Sequence, residues 1–132
     1  MAMKKKTPAK PAASTKPVWQ KLFVKGGTVL LLNAPPGFEK QFAGSPAATV
    51  TRSAAMADTI VLFAGSVAQL DATLPSAIGS LGPAGSLWIA YRKGDKSFHR
   101  DVINTRAMAH GLTGVAMIAI DDALSALRVK RI

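Results

Sequence analysis

Cysteine is absent from this chain of 132 residues, which rules out disulfides, thiolate metal sites and a cysteine nucleophile. Its absence suits a reducing compartment. Acidic side chains are scarce, 7 against 17 basic ones, so few carboxylates remain for general acid-base work or for holding a cation. With two histidines besides, no metal site is expected. Apolar runs such as 59–64 and 115–120 fall far short of the roughly 20 residues of a spanning helix. No membrane contact is expected. The lysine-rich start is not followed by the apolar stretch of a secretory signal, so the expected location is cytoplasmic.

What is present begins with charge. The formal net charge is +10, and half of it sits in the first 17 residues, where Lys4, Lys5, Lys6, Lys10 and Lys16 stand without an acid. That segment is otherwise Ala, Pro, Ser and Thr, too poor in large apolar residues to offset chain entropy, so residues 1–17 are expected to be a disordered basic tail. Residues 18–132 are the length of one domain.

The folded part carries Gly-led entries into short, continuously apolar runs: Gly26-Gly27 before 28–32, and Leu81-Gly82-Pro83-Ala84-Gly85 as a turn before 86–92. Such runs, with helical patterns between them, are what a parallel sheet buried on both faces requires. Trp19, Leu22 and Phe23 at helical spacing predict a short helix ended by Gly26-Gly27. The spacing further predicts strands over 28–32, 48–52 and 59–63 and a short helix over 38–42. Ser66 with Gln69 forms a capping-box pattern, and Val67, Leu70, Leu74 and Ile78 follow at spacings of three and four. Pro75 inside that helix predicts a kink or a restart. A helix over 101–110 and strands over 115–120 and 126–131 complete the chain. The last two strands are joined too closely for a crossover, so they must form an antiparallel hairpin at the sheet edge.

This order, with Gly26-Gly27-Thr28-Val29-Leu30, Asp58-Thr59-Ile60-Val61-Leu62 and the run from Leu81 to Ile89, resembles a shortened S-adenosylmethionine-dependent methyltransferase fold. The run from Leu31 to Glu39, with its Asn33-Ala34-Pro35-Pro36-Gly37, and the ending from Ala126 to Arg131 resemble a group of short bacterial proteins of unknown function. The resemblance implies an α/β, three-layer Rossmann-like, mostly parallel sheet with a C-terminal antiparallel hairpin. It implies a Gly-rich turn after the first strand and an acid after the second, which here read as a proline turn and as Arg52-Ser53. Those departures argue against S-adenosylmethionine, and no cofactor is expected.

Ligands of open parallel sheets settle outside the carboxyl ends of the strands. The candidate ligand site is therefore Asn33, Ala34, Pro35 and Gly37 after the first strand, Gly65 and Ser66 after the third, and Arg92, Lys93 and Lys96 after the fourth. Cations and helix N-termini there favour an anion. His99 reads as a surface residue, His110 as a helix C-terminal one, and Asp58, Asp121 and Asp122 as structural. Trp19 and Trp88 read as packing. No catalytic residue is assigned.

The resulting expectation is a non-catalytic binding module on a degenerate methyltransferase-like fold, taking a small anionic metabolite or a protein partner. Second comes sequence-independent nucleic-acid binding through the five tail lysines, and third a cryptic methyltransferase. The exposed hairpin edge leaves room for a homodimer.

Overall fold

The computed structural model describes residues 16–46 and 49–132. Of the tail lysines, Lys4, Lys5, Lys6 and Lys10 lie outside the described residues, and Lys16 is exposed just ahead of the first helix. The elements run α1 (Val18–Lys21), β1 (Thr28–Leu32), a 3-10 helix (Phe38–Phe42), β2 (Thr49–Thr51), β3 (Ala57–Phe63), α2 (Val67–Ser80), β4 (Leu81–Arg92), α3 (Arg100–Ala109), β5 (Leu112–Ala119) and β6 (Leu124–Arg131). Six strands form one sheet in the order β2-β1-β3-β4-β6-β5. The β2, β1, β3 and β4 neighbours are parallel, and β6 pairs antiparallel with both β4 and β5. The expected α/β architecture with its closing hairpin is the observed one.

Strand side chains alternate between faces, and both faces here are apolar. Leu30, Ile60, Leu62, Leu87 and Ile89 meet Leu70 and Leu74 of α2 and Ile103 of α3 on one side. Val29, Leu31, Val61 and Trp88 meet Leu22 after α1 and Phe38 and Phe42 of the 3-10 helix on the other. That second cover is slight, because α1 has four residues and the 3-10 helix five.

Several local expectations change. The first helix ends at Lys21, in a cap closed by Phe23, rather than at Gly26-Gly27: the Phe23 amide donates to Gln20 O at 3.1 Å and the Val24 amide to Trp19 O at 3.0 Å. These are the two bonds of a Schellman cap, which puts its C′ residue in the left-handed region, and Phe23 sits there with φ 58. Glycine is the usual occupant, and a side chain costs roughly 1–2 kcal/mol. The segment 81–85, expected as a turn, belongs to β4, where Leu81 pairs with Ala57 before a register shift. Pro75 neither ends nor restarts α2, which runs as one helix of 14 residues with the ring exposed to solvent. Its cap is a variant of the expected box, since Ser66 Oγ accepts from the Gln69 amide at 3.1 Å while Gln69 Oε1 accepts from Gly65 N at 2.8 Å.

Candidate functional site

Parallel strands bring the ends of β1, β3 and β4 to one edge of the sheet. Asn33 leaves β1 with φ 59, a conformation that asparagine tolerates, and its Nδ2 donates to Phe63 O at 3.2 Å and to Thr73 Oγ1 at 3.0 Å. One amide thus ties β1 to the end of β3 and to α2. Gly65 and Ser66 are spent on the α2 cap, and so these predicted residues hold the edge together through bonds of their own.

The turn after β1 is held in a way the sequence did not disclose. Arg52, at the end of β2, donates from Nη1 to Ala34 O at 2.7 Å and from Nη2 to Pro35 O at 2.8 Å. The same guanidinium donates from Nε to Glu39 Oε2 at 2.6 Å and from Nη2 to Glu39 Oε1 at 3.1 Å. Hydrogen bonds from Arg52 hold the Glu39 carboxyl at about 2, well below its ordinary value of 4.5. A carboxylate of the 3-10 helix thus lies against Arg52, the residue that follows β2. Glu39 and Arg52 are the edge residues that sequence reasoning missed. Their signal was the parallel pairing of β2 with β1, which sets the two residues side by side although 13 positions separate them.

The loop after β4 is built rather than loose. Asp95 Oδ1 accepts from Ser97 N at 2.9 Å, Ser97 Oγ at 2.7 Å and Phe98 N at 3.2 Å, and the Phe98 ring is buried. Lys93 N donates to Ala123 O at 2.9 Å, which fixes the loop against the hairpin turn. Beside it lies a groove of about 300 Å³ lined by Tyr91, Lys93, His99, Arg100, Asp101 and Ser125, among others. Burial pushes the Tyr91 phenol above its ordinary value of 10.0, so at neutral pH it remains a hydroxyl. Its oxygen lies 3.0 Å from Met117 Sδ. Asp101, the acid of this wall, is engaged by Arg100 at 3.4 Å. Of the nine predicted ligand residues, Lys93 lines this groove. Arg92 and Lys96 are exposed on the same loop, and Asn33, Ala34, Pro35, Gly37, Gly65 and Ser66 belong to the β1 and β3 ends.

His99 is exposed and caps α3, its Nδ1 accepting from Asp101 N at 3.2 Å. His110 lies at the C-terminal cap of α3 as expected, and it also reaches Asp71 of α2, with Nε2 and Oδ1 at 3.1 Å. Asp121 serves the hairpin turn, accepting from Ala123 N at 2.7 Å and Leu124 N at 2.8 Å. Among the described residues no group of three or more His, Asp or Glu could hold a metal ion. Among them, too, no helix is long and apolar enough to cross a membrane.

No family model and no curated protein matches this chain. Solved structures do. The structure described as the DhpI-SAH complex matches with a TM-score of 0.64 at 10% identity, covering 87% of this chain and 82% of that one. The DhpI-SAM-HEP complex matches with a TM-score of 0.62 at 10% identity over 86% and 84%. The O-methyltransferase NcsB1 of neocarzinostatin biosynthesis, in complex with S-adenosylmethionine and a naphthoic acid, matches with a TM-score of 0.55 at 14% identity over 92% of this chain and 52% of that one. At these identities the likeness establishes the fold, which is methyltransferase-like.

The expectation against S-adenosylmethionine is overturned by this comparison, because structures sharing the fold are complexes with that compound and with its demethylated product. Its physical weakness is visible at the edge. Of the two departures from the methyltransferase pattern, the proline turn stands after β1, whereas the acid absent after β2 in the sequence has Glu39 beside it in space. Both Glu39 oxygens accept from Arg52, and 40% of the side chain is exposed.

Proposed function

We propose that the chain is a binding module on a methyltransferase-like scaffold, taking a small anionic molecule in the groove beside β4. The observation that carries this reading is the convergence of Lys93, His99 and Arg100 on one concavity with the neutral Tyr91 hydroxyl. A phosphate or carboxylate seated there receives charge-assisted bonds from Lys93 and Arg100, each worth roughly 1.5–3 kcal/mol net. Arg100 exchanges its long contact with Asp101 for the ligand. The fixed loop pre-organises Lys93, which lowers the ordering cost of binding.

Titration calorimetry with inorganic phosphate and with small dicarboxylates tests this on the full chain. Heat that saturates, and that a Lys93→Ala, Arg100→Ala double variant removes, supports the reading. Heat unchanged in the double variant refutes it.

A second reading is methyl transfer, favoured by the fold likeness over 82% of the DhpI chain and by the carboxylate at the end of β2. On that reading Glu39 accepts from the ribose hydroxyls, the turn 33–37 lies along the nucleoside, and bound S-adenosylmethionine supplies the methyl group. Calorimetry with its demethylated product, on the chain and on Glu39→Gln, separates the two readings. Saturable binding that Glu39→Gln weakens by tenfold or more favours the transferase.

A further inference from the structure

A second and larger groove, of about 680 Å³, lies at the amino edge of the sheet, at the opposite strand ends from the ligand edge described above. Its walls include Phe23, Lys25, Asp58, Thr59, Ser86 and Arg128. It exists because α2 and α3 cover one sheet face along its length, whereas α1 and the 3-10 helix leave the amino ends of β3 and β4 open on the other. Arg128 stands opposite the buried Trp88 in the pairing of β6 with β4, so the apolar face turns polar there.

One feature of this groove is a cost that folding does not recover, and a second is its unpaired positive charge. Phe23 is 63% exposed and holds a left-handed backbone at φ 58, where glycine would sit without strain. The side chains of Lys25 and Arg128 have no ion-pair or hydrogen-bond partner among the described residues. Asp58, the acid of the wall, accepts from the Thr28 amide at 2.9 Å, and this one acid against Lys25 and Arg128 leaves the groove net positive, with a flat apolar ring at its rim. Strain retained at an exposed aromatic is a reason to look for function there.

We propose that the amino-edge groove binds single-stranded nucleic acid, with one base stacked on Phe23 and neighbouring phosphates against Lys25 and Arg128. Aromatic faces accept any base, and cations spaced along an open groove follow a backbone. The volume admits a nucleotide unit with its neighbours entering and leaving. A strand suits the groove better than a free nucleotide because its cations belong to separate elements, Lys25 ahead of β1 and Arg128 in β6, and the whole chain carries +10.

The test is fluorescence anisotropy of a labelled 12-nucleotide thymidine strand with the full chain over a salt series, using adenosine monophosphate as competitor. Phe23→Gly is expected to weaken binding roughly tenfold through the lost stack while its melting temperature rises through the relieved backbone. This variant keeps all 17 basic residues, so a loss of affinity is not a loss of charge. Phe23→Trp is expected to keep binding within about threefold of the parent. Lys25→Ala is expected to flatten the slope of log K against log salt by about 0.7. An unchanged affinity in Phe23→Gly overturns the proposal, and so does competition by the mononucleotide at the same concentration as the strand.

Discussion

Glu39 and Arg52 make a two-bond pair, 2.6 Å from Nε to Oε2 and 3.1 Å from Nη2 to Oε1, at the point where β2 leaves the sheet. The guanidinium that holds the carboxylate also donates from Nη1 to Ala34 O and from Nη2 to Pro35 O. One side chain therefore fixes both the turn after β1 and the 3-10 helix that follows it.

The pair makes a prediction about acid. Since Arg52 lowers the Glu39 carboxyl to about 2 from an ordinary 4.5, its contribution to stability is complete above pH 4.5 and fades as pH falls toward 2. Carbon-detected titration of the Glu39 carboxyl should show a midpoint near 2 in the parent chain. In Arg52→Ala the midpoint should return close to 4.5, the value from which the pair lowers it. A parent midpoint already near 4.5 would refute the pairing in solution.

Gly27 is expected to be intolerant of any side chain. Its φ is 78, and a Cβ there would overlap the Asp58 carboxylate that accepts from Thr28 N. Gly27→Ala should cost about 1–3 kcal/mol in urea unfolding, the range of strained left-handed positions. In an Asp58→Ala background the added cost should shrink to the backbone part alone. Equal costs in both backgrounds would show that the carboxylate is not the obstacle.

The central strands β1, β3 and β4 were legible because they are buried on both faces. In β1 the run 29–32 is apolar throughout, as a strand covered on both faces requires. The Glu39–Arg52 pair was not legible, since the two residues meet only after β2 is laid parallel to β1. Nor was the end of α1: Gly26-Gly27 offered the usual stop signal, yet the cap closed earlier on a phenylalanine that sequence rules place elsewhere. The tie from Asp71 to Arg106, with Nη2 and Oδ2 at 2.8 Å, escaped for the same reason as Glu39, because it depends on how α2 lies against α3. Grooves are harder still, being set by what fails to cover a face.

Pro75 offers a stability test that leaves both grooves alone. Inside α2 it withholds the amide that would reach Asp71 O, and its exposed ring gains little from packing. An interior proline costs about 3 kcal/mol in a helix and returns roughly 0.4–1 through a stiffer unfolded chain. Pro75→Ala should therefore stabilise the protein by about 2 kcal/mol, read as a higher urea midpoint at unchanged slope. No gain would mean that the helix is anchored by its buried Leu70 and Leu74 face so firmly that the missing bond is absorbed.

Duplex DNA separates the tail from the groove. If Lys4, Lys5, Lys6, Lys10 and Lys16 each neutralise a phosphate, log K for a duplex should fall with log salt at a slope of about −4. Replacing all five with alanine in the full chain should remove most of that slope, whereas Phe23→Gly should leave it intact, since a paired base offers no face to stack on. Single strands should respond in the opposite way. They lose affinity with Phe23→Gly and retain the stacking contribution when the tail is neutralised. A duplex slope that survives the five substitutions would assign the phosphate contacts to the folded part of the chain instead.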